Sequence, residues 1–295
     1  MTKAAYLLSL ALIFSPALLA DKVIHREKSL YRNILVTQRA DRRCLAFSVK
    51  RQRRNQTCMN VRQPTKIVFP YVRMTFAGLL VNPKPRKVMM IGLGGGTITT
   101  VLTELYPDLE IDVVEVDEAV VRVAEEYFGF RATEKTNVIV QDGRVFTRRA
   151  ALRGETYDYI ILDAYTGDYI PEHLMTHEFL SDIRDLLTPD GIVVANTFAL
   201  SDLYDHESVT YASVFGDFLN LKVPGTGNRI IVAGKGTLPE RSVLAAEANR
   251  LGPRLEPYSV DLLNLLSYLD RNIDWDTTSR PLTDQFSPAN LLRGR

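Results

Sequence analysis

The sequence predicts an α/β protein: a largely parallel sheet covered by helices on both faces, preceded by a small β-domain. Three observations predict it. From Lys87 to Phe198 short apolar runs alternate with segments whose apolar residues recur three and four apart, the pattern of strand–helix repeats in a parallel sheet. Residues 23–66 instead hold short stretches that alternate apolar and polar, as antiparallel strands do. NPKP, at Asn82–Pro85, punctuates the chain between the two regions. The expected division is 1–22, a signal peptide or N-terminal anchor; 23–82, a β-hairpin domain; and 83–295, the main α/β domain.

The first element is a targeting segment. MTKAAYLLSLALIFSPALLA carries Lys3, then runs apolar to Ala20 with breaks at Ser9, Ser15 and Pro16. A basic start, an apolar stretch and a small residue at its end read as a secretory signal. An uncleaved anchor is the alternative, since the run is slightly short for a full membrane span. The expected location is therefore exported, periplasmic or anchored at the inner membrane, with the cytoplasm as the alternative.

Strands are expected at Leu30–Gln38, Cys44–Val49 and Gln56–Met59. The segment between Cys44 and Cys58 is polar and basic in its middle, so it reads as a hairpin with its tip near Arg51–Arg54. Residues 44 and 58 are then cross-strand neighbours within reach of a disulfide. In an exported protein the bridge forms; in the cytosol two free thiols remain. FPYVRMTFAGLL (69–80) has helical spacing. The main domain then runs KVMMIGL (strand), TITTVLTELY (helix), IDVVEV (strand), EAVVRVAEEYF (helix), NVIVQD (strand), RVFTRRAAL (helix), YDYIILD (strand), HEFLSDIRDLL (helix) and GIVVANTF (strand). Strands near Leu219–Val223 and Arg229–Gly234 form an antiparallel end to the sheet. Helices at Glu240–Leu251 and Val260–Asp270 close the chain.

Composition sets the limits. The chain has 295 residues, 46% of them hydrophobic, with a net charge of +1 and two cysteines. This excludes a disordered chain, a collagen-like fibre and a disulfide-dense scaffold. The small net charge hides an asymmetry: residues 21–66 carry 13 Lys/Arg against three Asp/Glu, net +10, and the rest of the chain beyond them is net −10. The basic run KRQRR (50–54) has no interleaved aromatics, so no dedicated nucleic-acid site is expected.

The chemistry gathers where strands end. Gly92, Gly94 and Gly96 follow the first parallel strand and precede a helix, where backbone approaches a ligand closely and a helix N-terminus faces it. Glu115 ends the second strand, the place of an acid that accepts hydrogen bonds from ribose hydroxyls. Asp142, followed by Gly143, ends the third, where a carboxylate can take an exocyclic amine. The alternative for both acids is helix capping. Together the set reads as a site for a nucleoside-containing ligand. There is no GxxxxGK[ST] phosphate loop. Asp163 and Asp168 lie on one loop after the fourth strand with Tyr165 between them, a pair suited to a cationic amine. His173 and His177 are four apart without a third ligand nearby, so no metal is expected.

These residues resemble the spermidine synthases (polyamine aminopropyltransferases), in particular the spermidine-synthase-like branch. The resemblance runs from about residue 23 to 235. It rests on EKSLYRNILV (27–36), FPYVRM (69–74), IGLGGGT (91–97), VEVD (114–117), QDGR (141–144) and LDAYTGDYIPEHLMTHEF (162–179), with PLTDQFSPANLL (281–292) similar to the end of such proteins. It implies a Rossmann-like sheet of the S-adenosylmethionine-type transferase kind after a small N-terminal β-domain. The implied donor is decarboxylated S-adenosylmethionine as co-substrate, and the acceptor a small amine such as putrescine; a homodimer is possible. By the same resemblance Glu115 holds the ribose, Asp142 the adenine and Tyr71 the substrate, and Asp163 is the catalytic carboxylate. Four positions depart from the family pattern: Gly95 replaces the acid of GGGDGG, Arg32 a glutamine, Arg73 an acid, and the second carboxylate of the DSSD-like motif is displaced to Asp168. The alternatives are a methyltransferase using intact S-adenosylmethionine, for whose methionine carboxylate Gly95 would leave room, and a non-catalytic envelope protein retaining the fold.

Overall fold

The computed structural model describes residues 21–49, 52–165 and 169–288. The expected targeting segment over residues 1–20, Lys50, Arg51 and Asp168 lie outside them; of the tip expected near Arg51–Arg54, Arg53 and Arg54 instead pair as strand residues with Ser48 and Phe47. Four strands, β1 (Lys22–Lys28), β2 (Asn33–Arg39), β3 (Arg42–Val49) and β4 (Gln52–Asn60), form an antiparallel sheet in chain order. The strand expected at Leu30–Gln38 starts later, and β1 precedes it. Ser29 is the reason: its Oγ accepts from the backbone N–H groups of Tyr31 and Arg32 at 3.1 and 3.0 Å. Local side-chain bonds of this kind favour a turn over a strand. Cys44 stands opposite Cys58 in the register of β3 and β4, and the two are joined in a disulfide, Cα to Cα 4.1 Å. Closing a loop of this length contributes about 3 kcal/mol. Reduction, or Cys44→Ser, is therefore expected to lower the stability of the folded chain by about 2–4 kcal/mol in urea titrations.

The expected helix over 69–80 is α1 (Pro70–Thr75) continued as a 3-10 turn, Phe76–Leu80. Its buried residues, Val72, Met74, Phe76, Leu79 and Leu80 among them, pack into the core of the large sheet. Beyond it come β5 (Lys87–Ile91), α2 (Thr97–Leu105), β6 (Glu110–Glu115), α3 (Glu118–Tyr127), β7 (Thr136–Val140), α4 (Gly143–Leu152), β8 (Tyr157–Leu162), α5 (His177–Leu186), β9 (Leu187–Phe198), α6 (Tyr204–Phe215), β10 (Phe218–Leu221), β11 (Asn228–Gly234), α7 (Arg241–Leu255), α8 (Leu262–Ser267) and β12 (Leu269–Asp270). The sheet order is β12-β10-β11-β9-β8-β5-β6-β7. Strands β5 to β9 are parallel, and β10 to β12 form the antiparallel end.

Two of these elements had no counterpart in the sequence pattern. Helix α6 buries Glu207, Ser208 and Thr210 beside Tyr211, so no apolar stripe marks it. The helix expected over 260–270 ends at Ser267, because Leu269 and Asp270 pair with β10.

Alternation along each strand divides the core. On β5, Val88 and Met90 face α2, α7 and α8, whereas Met89 and Ile91 face α4, α5 and α6. The small sheet lays Ile34, Val36, Leu45 and Phe47 on Ala119, Val120 and Val123 of α3. It is thereby fixed above the ends of β5 and β6. The strand order reverses between β5 and β8, and in such sheets the ligand crevice lies there, beyond the carboxyl ends of the strands.

Candidate active site

Two strand ends meet at that crevice. Asp163 N–H donates to the Ile91 carbonyl at 2.9 Å, tying the end of β8 to β5. Gly92 then turns with φ +96°, and a Cβ on it would lie 2.3 Å from the Asp163 carbonyl oxygen. Only glycine fits this approach. Between the small sheet and the strand ends lies a cavity of about 220 Å³, lined by Gly92, Gly94, Glu115, Asp142, Asp163 and Tyr71 among others. Gly143 and Tyr165 also line it; Gly96 caps α2 with φ +77° against the Phe130 ring and is not among the lining residues.

Glu115 is 7% exposed. Its two oxygens accept from Leu93 N–H at 3.0 Å and Asp117 N–H at 3.1 Å. Each oxygen keeps a second lone pair for a ligand hydroxyl. Burial pushes its carboxyl above the usual range, while the two backbone bonds and Arg32 pull it down. Asp142 both caps and faces the cavity: it accepts from Val145 N–H at 3.0 Å, and its other oxygen is 2.9 Å from His173 Nε2. The capping and cavity-facing readings of this acid hold together.

Asp163 is half-buried at the cavity floor. Burial pushes its carboxyl up to about 7; the Asn196 amide, donating to Oδ1 at 2.8 Å, pulls it down, and the charge of Glu115 pushes it up. Tyr71 donates its hydroxyl to the Gln56 carbonyl at 3.0 Å, and Tyr165 donates to the Asn196 carbonyl at 2.7 Å. Burial and the nearby Asp163 charge raise both phenols well above their ordinary value.

The departures from the family pattern now have positions. Arg32 lies 4.3 Å over the Phe47 ring, donates to the Tyr165 carbonyl at 3.1 Å and stands 3.6 Å from Asp117. It ties the small sheet to two strand-end loops. Arg73 is not among the cavity-lining residues. Gly95 is not among the cavity-lining residues, and a Cβ there would lie 2.5 Å from Thr57 Cγ2 on β4. The side-chain direction at 95 is occupied by the small sheet.

The histidines have separate partners. His173 meets Asp142, and His177 Nδ1 is 3.4 Å from Ser181 Oγ. Sequence reading missed Phe47, Gln56, His173 and Asn196 as cavity or floor residues. Asn196 had a signal, an amide inside the buried run GIVVANTF. Finally, the C-terminal PLTD segment braces the cavity wall: Asp284 holds the Arg144 guanidinium through two bonds at 2.6 and 2.5 Å and accepts from Thr176 Oγ1 at 2.9 Å.

A glycine turn after the first parallel strand, an acid closing the second, and a cavity at the reversal of strand order define an α/β fold with a nucleoside-type ligand crevice. The family model described as the spermine/spermidine synthase domain matches residues 70–218. The polyamine aminopropyltransferase of Vibrio vulnificus (strain CMCP6) is 50% identical over 273 residues, covering 92% of this chain and 91% of that one. The chain belongs to the spermine/spermidine synthase family. Its fold is similar to a probable spermidine synthase from Corynebacterium glutamicum ATCC 13032, with TM-score 0.65, 20% identity, 88% of this chain and 99% of that one. It is also similar to human methyltransferase-like protein 13 in complex with SAH, with TM-score 0.58, 22% identity, 72% of this chain and 97% of that one.

Proposed function

We propose that this protein transfers an aminopropyl group from decarboxylated S-adenosylmethionine to a small amine such as putrescine. One observation carries the reading: Asp163 lines one cavity with Glu115 and the glycine turn. The name of the Vibrio relative agrees with it. In the reaction the amine nitrogen attacks the carbon beside the sulfonium. The C–S bond breaks, its electron pair goes to sulfur, and methylthioadenosine leaves.

Glu115 would accept the ribose hydroxyls, and Asp142 the adenine amine. Tyr71 and Tyr165 would wall the acceptor channel. A free amine has a pKa of about 10 and is protonated at pH 7. An ordinary carboxylate, near 4, is a weak base for it. At about 7, Asp163 is better matched. It would orient the amine and take its proton as the N–C bond forms. The enclosed floor keeps water from the sulfonium, whose charge is lost in the step.

Glu115→Gln is expected to weaken methylthioadenosine binding by about 1.5–3 kcal/mol, the worth of hydrogen bonds to a charged group. Calorimetric titration reads this, and unchanged affinity would remove Glu115 from the site. The reaction itself is tested by mass spectrometry of products from intact and decarboxylated donor with a panel of amines. Aminopropylated amine plus methylthioadenosine is expected. Methylated product from the intact donor, or no binding of methylthioadenosine, would overturn the reading. The reading extends to an exported protein, since the Cys44–Cys58 bridge suits an oxidising compartment.

A further inference from the structure

A chain of two amides ends on Asp163. Asn196 lies on β9, where that strand separates parallel β8 from antiparallel β11, and it is 4% exposed. Its Nδ2 donates to Asp163 Oδ1 at 2.8 Å, and its Oδ1 accepts from Asn228 Nδ2 at 3.0 Å. Its backbone carbonyl accepts from the Tyr165 hydroxyl. A side-chain amide has one oxygen and one NH₂ group. With the oxygen engaged by Asn228, the NH₂ is the end left for Asp163. A donor there favours the charged carboxylate. The reversed amide would present an oxygen, which tolerates only a protonated Asp163. Asn228 begins β11, opposite Phe198, and does not line the cavity.

We propose that Asn228, acting through Asn196, is a positioning residue that holds Asp163 in its carboxylate form and fixes the direction in which it meets the amine. This assigns a role in the reaction to the antiparallel end of the sheet. It rests on the reading of Asp163 as the group that takes the amine's proton. Among the described residues, the titratable groups around Asp163 and its amide partner are Glu115 from the end of β6, Tyr71 from α1, Tyr165 from its own loop and Glu207 from α6, which lies beside Tyr165 and Asn196. Arg32 reaches the same loop through the Tyr165 carbonyl. All of these are unchanged in an Asn228 variant.

The test follows the Asp163 carboxyl directly. Protein labelled with ¹³C at aspartate carboxyls is titrated by NMR, with the Asp163 signal identified by its loss in Asp163→Asn. In Asn228→Ala the midpoint is expected to rise by about half to one pH unit, the worth of one hydrogen bond to the charged form. The acid limb of kcat is expected to rise with it, while methylthioadenosine affinity stays constant. Asn228→Leu, closer in volume, repeats the measurement if the alanine variant is poorly folded. An unmoved midpoint in either folded variant overturns the proposal. So does a fall in kcat without a shift of the acid limb, which would mark Asn228 as structural support. A shifted midpoint in a protein that aminopropylates no amine would leave the amide relay standing and remove the reaction assigned above.

Discussion

Asp163→Asn is expected to lower turnover by about 10²–10⁴, the usual contribution of a positioned acid–base group. Methylthioadenosine affinity should stay nearly unchanged, because the nucleoside would be held by Glu115 and Asp142. The wild-type pH profile should lose activity as pH falls through about 7, where Asp163 takes up a proton, and the asparagine variant should lack that limb. A stability effect of known sign accompanies it. The folded chain holds the Asp163 proton more tightly than the unfolded chain, whose carboxyl titrates near about 3.9. The stability it contributes is full below that value and is lost as pH rises through about 7. Asp163→Asn removes this loss, so its advantage in melting temperature over wild type should be larger at pH 8 than at pH 5. Wild-type turnover in the variant would remove Asp163 from the chemistry.

Gly92→Ala is expected to damage both fold and activity. The position has φ +96°, and the added methyl would meet the Asp163 carbonyl oxygen at 2.3 Å. Backbone strain costs about 1–3 kcal/mol and overpacking a similar amount. The folded state should therefore lose about 2–5 kcal/mol in urea titrations. What relieves the clash is movement of the end of β8, which carries Asp163. A displacement near 1 Å at a reacting group costs about 10² in rate, so the surviving protein should turn over at least that much more slowly. Gly94→Ala is the comparison: φ is +56°, but no atom lies within 4 Å of the added methyl. It should lose about 1–2 kcal/mol, the cost of a left-handed residue. Equal effects of the two substitutions would contradict the contact argument.

The pattern in the chain was sufficient for much of this architecture. Period-two and period-3.6 apolar spacing marked the strands and helices of the parallel region, because burial of one face imposes those spacings locally. The antiparallel end and the cross-strand neighbours Cys44 and Cys58 were legible for the same reason. So were the glycine turn, Glu115, Asp142 and Asp163, since ligand groups in such sheets sit where strands stop. Helix α6 was illegible because it buries polar groups, Glu207 against the buried Arg229 among them. The turn at Ser29 was missed because its hydroxyl, accepting from two backbone N–H groups and donating to Asp117, outweighed the alternation around it.

The meaning of the departures could not be decided along the chain. By sequence, Gly95 stood in place of an acid, and Arg32 in place of a glutamine. In the fold, Thr57 from a strand nearly forty residues earlier occupies the side-chain direction at 95, and Arg32 braces the Tyr165 carbonyl from across the cleft. Local spacing determines which residues point inward and where strands end. Which distant side chain fills a given space, and how far a carboxyl such as Asp163 is removed from water, depends on contacts between segments far apart in the chain. Those contacts, not the residue types, set its affinity for a proton.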